Sequence, residues 1–205
     1  MLDNWPELPE FKEFFSSLGL KYFAYYEILT GLGRVNSGVT NEGPPKEIWH
    51  NIGPTVIVLD NLREHFGVPI TINSAYRSPK YNPLIGGAKT SQHMGFVAID
   101  INVRGIHPTV VADQLLAWQA QDKWFSSPIE LKPVDVRVPA GTVPRTDLKT
   151  RVKDGKFEFL YKGGVGYYST FTHMDTRGVK VSWDNRSSDS ESRSRSLSLE
   201  PVELD

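Results

Sequence analysis

The sequence predicts an α+β fold, a small antiparallel sheet with helices packed on one face. Apolar residues recur at helical spacing between residues 52 and 66, and β-branched segments at residues 68–73 and 96–103 are typical of strands. A further helix is expected from Pro108 to about Gln121. The chain of 205 residues is long enough for one domain with its own core.

The N-terminal half is predicted to hold most of the helices. Residues 5–35 are rich in aromatic side chains, and two short amphipathic helices fit this stretch. Residues 36–47 are polar, contain glycine and proline, and are predicted to form a loop. A longer helix is expected to begin at Pro54, because proline is favoured at the first helical position, and to end at Gly67.

After residue 121 the prediction is less regular, with one hairpin and one core strand. Prolines interrupt residues 122–160 repeatedly, and residues 152–157 contain an Asp-Gly pair that is typical of a hairpin turn. Residues 165–174 are aromatic and β-prone, which indicates a core strand. We therefore assign residues 1–184 to one domain and residues 185–205, rich in serine and charged side chains, to a flexible tail.

Composition excludes several classes of function. The formal net charge of -1 provides no broad positive field for nucleic acid or an anionic membrane, so we expect neither as a partner. The absence of cysteine removes disulfides, thiolate metal sites and cysteine nucleophiles. The first residues lack a basic segment followed by an apolar one, so no standard secretory signal is expected and synthesis is expected in the cytoplasm.

Two of the five histidines lie beside predicted strands, together with an aspartate. His93 precedes the strand that contains Asp100, and His173 lies at the end of the late aromatic strand. Two histidines and one carboxylate suit a catalytic zinc ion, which keeps one coordination position open. The alternative is a buried aspartate hydrogen-bonded to a turn, with unrelated surface histidines. We expect no metal at the remaining histidines, His50, His65 and His107.

The motifs around these residues follow the order of a known family. They are SAYRSP at 74–79, YN at 81–82, GGA at 86–88, SQH at 91–93, AID at 98–100, GGVGYY at 163–168 and FTHMDTRG at 171–178. In this order they closely resemble the zinc D-Ala-D-Ala carboxypeptidase and L-alanyl-D-glutamate endopeptidase family, to which the hedgehog signalling domain is related in fold. The resemblance extends from about Phe23 to Trp183.

The resemblance implies a role for each matching residue. His93, Asp100 and His173 fall on the positions that bind Zn²⁺. Arg77 falls on the arginine that contacts substrate and stabilises the developing oxyanion, which suits a permanently charged guanidinium. The alternative for Arg77 is a salt bridge that holds the long loop. The implied activity is hydrolysis of peptide stems of peptidoglycan.

The general base is where the sequence departs most from this family. Relatives usually carry Asp or Glu three residues before the last histidine, and this chain has Thr170, which cannot accept a proton at neutral pH. Asp175 lies two residues after His173 and is expected on the same face of the strand. We predict Asp175 as a catalytic residue, either the base or an acceptor that orients His173. Glu27 is a weaker candidate, with a helix cap as the alternative.

Two further departures concern the surroundings of the predicted site. Relatives often carry glycine three residues after the first histidine, where this chain has Phe96, with Gly95 one residue earlier. The spacing from His93 to Asp100 is kept, so we expect the metal to be retained. Residues 122–160 are longer than the usual connection, and we interpret them as a substrate-binding insertion or a docking surface.

Two classes of function follow from these observations. The first is a zinc peptidase that acts on the cell wall, as a phage lysin, a virion-associated protein or a bacterial enzyme exported by another route. The second is a metal-binding but catalytically inactive assembly protein of a phage particle, which Thr170 and the long insertion suggest. In that case residues 122–160 or the tail would contact the assembly partner. A nucleic-acid-binding domain is disfavoured without a basic excess.

Overall fold

The fold is described from a computed structural model that covers residues 4–143 and 148–186. In chain order the helices of these residues are α1 (Leu8–Ser17), α2 (Tyr25–Ile28), α3 (Trp49–Phe66) and α4 (Pro108–Ala120). Short 3-10 helices lie at Lys46–Ile48, Asn82–Ile85 and Gln92–Gly95. The strands are β1 (Val35–Asn36), β2 (Val39–Thr40), β3 (Ile70–Ser74), β4 (Ala98–Val103), β5 (Trp124–Ser127), β6 (Val136–Val138), β7 (Gly141–Val143), β8 (Thr150–Lys153), β9 (Lys156–Leu160), β10 (Gly164–Tyr167), β11 (Thr172–Asp175) and β12 (Val181–Asp184).

A five-stranded sheet with the order β12-β10-β11-β4-β3 forms the centre of the fold. Its neighbouring strands are antiparallel, except that β12 runs parallel to β10. Strand β4 is buried along almost its whole length, because it is an inner strand and helices α3 and α4 contact it. The predicted α+β class with small antiparallel sheets is confirmed.

Helices α3 and α4 supply much of the apolar core. The side chains of α3 that are fully buried recur at helical spacing and include Ile52, Val56, Leu59 and Leu62. Burial of each such side chain contributes about 1.5–3 kcal/mol to folding. Helix α4 begins with Pro108 in the first turn, and the Nδ1 atom of His107 accepts a hydrogen bond from the Thr109 N–H at 3.2 Å. The predicted helix after Pro108 is therefore confirmed.

The predicted start of the long helix at Pro54 is wrong, because α3 begins at Trp49 and contains Pro54 in its interior. A proline at this position removes one helical hydrogen bond. The first turn is held by other contacts: Trp49 is buried and its indole N–H donates to the Pro44 carbonyl at 2.8 Å. The C-terminal end agrees with the prediction, since Gly67 adopts a left-handed conformation.

Two β-segments also differ from the prediction. The expected single strand at residues 165–174 consists of the antiparallel strands β10 and β11, with a reversal at residues 168–171. A continuous run of β-prone residues does not show where the chain reverses. Residues 36–47 contain part of the β1–β2 hairpin, whose turn residues both have positive φ. The predicted hairpin at residues 152–157 is confirmed as β8–β9.

The prediction for the tail concerns residues that lie mostly outside the described part of the chain, which ends at residue 186. The division into one domain and a tail therefore stays a prediction. Among the described residues, none of the helices has both the length and the apolar character needed to cross a bilayer.

Replacement of Asn51 by alanine is expected to lower the free energy of unfolding by about 2–3 kcal/mol, because buried backbone groups lose their partners. The buried Asn51 amide donates to the Gly95 and Val134 carbonyls at 2.9 and 3.0 Å and accepts from the Val134 N–H at 2.8 Å. Urea unfolding measures the effect. Asn61→Ala is the control, because that amide bonds within its own helix, and a change beyond about 0.5 kcal/mol is not expected there. Equal losses in both variants would contradict the prediction.

Candidate metal centre

One row of residues across the central sheet forms the base of the site. Asp100 of β4 is paired with His173 of β11, which is paired with Gly166 of β10, and Gly166 is paired with Trp183 of β12. Cross-strand partners project from the same face of a sheet. The pairing therefore places His173 beside Asp100, although the two residues are 73 positions apart in the sequence. On β3, a bulge between Ile72 and Ser74 brings Ser74 opposite Asp100.

The third member of the group, His93, comes from the 3-10 helix just before β4. Its Nδ1 atom donates to the Ala75 carbonyl at 2.6 Å, which directs Nε2 towards Asp100, with 3.3 Å between Nε2 and Oδ1. The Nδ1 atom of His173 lies 2.8 Å from the same oxygen. One ligand atom from each of the three residues lies within 4.8 Å of the others, and all three side chains are buried.

The donor set fits a metal ion such as zinc. Zinc binds histidine nitrogen and carboxylate oxygen at about 2.0–2.2 Å, so ligand atoms of a tetrahedral site lie about 3.3 Å apart. The separation between His93 Nε2 and Asp100 Oδ1 has this value, 3.3 Å. The structure thus brings the predicted ligands His93, Asp100 and His173 together in a group that could hold a metal ion.

Arg77 and two histidines surround the buried carboxylate of Asp100. Arg77 donates from Nη2 to Asp100 Oδ2 at 2.6 Å and from Nε to the Ser74 hydroxyl at 2.9 Å. Burial by itself would raise the pKa of Asp100, but the charges and hydrogen bonds of His93 and His173 outweigh burial and hold this pKa well below its usual range. The Arg77 guanidinium is consequently fixed beside the candidate metal ligands.

Asp175 lies behind His173, on the same side of β11 as predicted from the strand periodicity. It is fully buried, and its Oδ2 atom accepts from His173 Nε2 at 3.2 Å. Three further groups donate to its carboxylate: the Gly164 N–H at 2.8 Å, the Arg177 N–H at 3.0 Å and the Arg177 guanidinium at 2.6 Å. Burial opposes ionisation, but the bonds from His173 and Arg177 hold the pKa of Asp175 well below its usual range.

The two histidines respond differently to burial. Burial dominates at His93 and lowers its pKa, although Asp100 acts in the opposite direction. Burial also acts to lower the pKa of His173, but hydrogen bonds to Asp100 and Asp175 outweigh it and raise the pKa to about 9. The difference arises because His173 lies between two carboxylates, whereas the second nitrogen of His93 bonds a neutral carbonyl.

The group opens into a cleft of about 450 Å³. One wall is aromatic, where Tyr168 and Phe171 stack with ring centres 4.2 Å apart and the Trp183 indole donates to the Tyr168 hydroxyl at 3.2 Å. The Trp183 ring also lies 5.1 Å from the His173 ring. Gly166 makes room for it, because an added Cβ would approach the indole to 2.7 Å. The cleft therefore offers an apolar surface next to the polar ligands.

A family model described as Peptidase M15 matches residues 21–128, which is more than half of the chain. The chain belongs to the peptidase M15 family. M15 peptidases are metal-dependent, in agreement with the group that could hold a metal. The match includes Arg77, His93 and Asp100 and ends before His173, which the sheet pairing brings to the same group. No curated protein and no solved structure matches this M15 protein.

Three other residues that the sequence singled out in this M15 protein do not belong to the metal group. The Glu27 carboxylate accepts from the Ala24 N–H at 2.8 Å, which is the helix-cap alternative. Thr170, at the position of the usual base, is exposed and does not line the cleft. Phe96 is fully buried. Its φ of 53° lies in the left-handed region, which glycine adopts more easily.

The aromatic wall and Arg177 of the M15 protein were not predicted from the sequence to belong to the site. A signal for Arg177 was present, since it follows His173 and Asp175 at intervals of two residues. Trp183 carried no comparable signal, because its place beside the site depends on the parallel pairing of β12 with β10.

The wild-type M15 protein is expected to bind about one zinc ion per chain, and His173→Ala is expected to bind none, because two ligands alone hold zinc weakly. Elemental analysis after gel filtration without chelator measures the ratio. His107→Ala is the control, since that ring caps α4 through Thr109. A wild-type protein that stays metal-free after incubation with zinc would contradict the prediction.

Proposed function

We propose that this M15 protein is a zinc-dependent peptidase that hydrolyses the peptide stems of bacterial peptidoglycan, of the carboxypeptidase or endopeptidase type. The buried group of His93, Asp100 and His173 at an open cleft carries the proposal. Family membership supports metallopeptidase chemistry, and the resemblance of the motifs supports the wall substrate. Such an enzyme acts on the cell wall, either as a phage lysin or as part of a virion.

Zinc is the proposed metal because the ligands are two nitrogen atoms and one carboxylate oxygen in a buried setting. When bound, zinc supplies a Lewis acid that polarises the scissile carbonyl and makes water a stronger nucleophile. The rest of the chemistry depends on how the side chains around the metal group are held.

Arg77 is proposed to stabilise the negative charge that develops on the carbonyl oxygen. Two of its nitrogen atoms, Nε and Nη2, are held by Ser74 and Asp100, which fixes the plane of the guanidinium. The remaining nitrogen, Nη1, has no hydrogen-bond partner within the described residues, and Arg77 lines the cleft. A donor held in place before reaction stabilises an oxyanion without reorganisation.

Asp175 is proposed to position His173 rather than to accept the proton of the attacking water. Its two oxygen atoms already accept bonds from His173, Arg177 and Gly164. A carboxylate behind a metal-binding histidine fixes the orientation of the ring and increases its basicity.

A second candidate function is a metal-binding assembly protein without turnover. One observation favours it: of the described residues that line the cleft, Asp100 is the one with a carboxylate, and it is already committed to the metal group. Assembly contacts would then use residues 122–160 or the tail. Cleavage of stem peptides by the zinc-loaded protein separates the two functions.

The zinc-loaded protein is expected to release products from purified cross-linked stem peptides or from pentapeptides that end in D-Ala-D-Ala, with mass spectrometry as the readout. Arg77→Ala is expected to lower kcat by about 10²–10³-fold, because one oxyanion donor is lost. The control is Arg104→Ala, an exposed arginine outside the cleft. A wild-type protein that binds zinc but cleaves none of these peptides would favour the assembly function.

Asp175→Asn is expected to weaken zinc binding by about 10–100-fold, because His173 loses its charged acceptor. Competition with a fluorescent chelator measures the affinity. The control is Asp184→Asn, whose exposed carboxylate pairs with Arg186. Thermal unfolding of both metal-free variants shows whether either substitution disrupts the fold, and an unchanged zinc affinity in a folded Asp175→Asn protein would rule out the positioning role.

A further inference from the structure

Arg77 borders a second cavity in addition to the metal cleft. This cavity has a volume of about 280 Å³, and its lining includes Arg34, Asn73, Ser74 and Ile85. Arg77 lies against the metal group, 2.6 Å from Asp100, and also lines the second cavity. A substrate with its scissile bond at the metal group would lie beside Arg77, the residue that the metal cleft and this cavity share.

The charges of this cavity are positive. Its two ionised side chains are Arg34 and Arg77, and no carboxylate is found among the described residues that line it. Arg34 is exposed, and its guanidinium has no hydrogen-bond or ion-pair partner in the described part of the chain. The cavity thus presents a guanidinium that is available to an anionic group of a ligand.

The position of Arg34 relative to Arg77 is held by a buried side chain. Asn41 donates to the Gly31 and Tyr76 carbonyls, each at 3.1 Å, and accepts from the Ser78 N–H at 2.8 Å. The Asn41 N–H also donates to the Arg34 carbonyl at 2.7 Å. One amide therefore joins the segment around Arg34 to the backbone on both sides of Arg77.

We propose that this cavity is the subsite for a carboxylate-bearing residue of the substrate, with Arg34 as its specificity determinant. A guanidinium binds a carboxylate through two parallel hydrogen bonds. The inference rests on the proposed peptidase function and deepens it, because it selects acidic stem peptides over amidated ones. Apart from its C-terminus, a stem peptide can carry a carboxylate on the γ-linked D-glutamate and on a diaminopimelate in the third position, and these are the carboxylates proposed for the subsite.

Two matched pairs of synthetic stem peptides test the proposal. The first pair differs only in the α-carboxylate of D-glutamate, which is replaced by a carboxamide. The second pair carries diaminopimelate or lysine in the third position. Binding to the zinc-loaded protein is measured by calorimetry, and hydrolysis is measured separately, for wild type, Arg34→Ala, Arg34→Lys and the control Arg104→Ala.

The wild-type protein and Arg104→Ala are expected to bind the acidic member of one pair about tenfold more tightly, as one charged hydrogen-bonded contact provides. In Arg34→Ala the two members are expected to bind within about twofold, and Arg34→Lys is expected to give an intermediate ratio because it keeps the charge and loses the fork. Equal ratios in wild type and Arg34→Ala, or no binding of any peptide, would overturn the proposal. If the protein bound the acidic member of a pair more tightly but hydrolysed neither member, the result would support the subsite and would argue only against the peptidase function.

Discussion

The buried carboxylate of Asp100 is the constraint on which the site depends. An ionised carboxylate that is buried without partners costs several kcal/mol, so the fold must surround it with donors. Its donors are His173 from the paired strand and Arg77 from the loop after β3, and Nε2 of His93 from the 3-10 helix lies 3.3 Å from the same carboxylate. The pairing of β4 with β11, the bulge in β3 and the loop after β3 therefore all place groups beside this one carboxylate.

A second buried carboxylate extends this arrangement behind the metal group. Asp175 fits into its position because Gly163 and Gly164 have no side chains: an added Cβ would lie 1.8 Å from the Asp175 carbonyl oxygen at the first and 2.4 Å from the carboxylate at the second. The close approach lets the Gly164 N–H donate to Asp175. The glycines of this motif thus contribute to the orientation of His173, and through it to the metal group.

Arg77 connects the chemistry of the site to the choice of substrate. It contacts Asp100, borders the metal cleft and also lines the cavity that contains Arg34. Since Arg77 lines both the cleft and this cavity, the proposed reaction and the proposed preference for a carboxylate both depend on the loop after β3. The aromatic wall of Tyr168 and Trp183 lines the same cleft.

The sequence by itself determined the α+β class, the end of α3 at Gly67, the β8–β9 hairpin and the set of ligand candidates, because these depend on local periodicity, turn chemistry and motif order. Only the tertiary structure decided the start of α3, where packing of Trp49 outweighs the preference of Pro54 for a first turn. The same holds for the partners of Asp175, the place of Trp183 and the cavity at Arg34. Each of these depends on strand pairing or side-chain contacts between segments distant in the sequence, and a local pattern carries no information about such contacts.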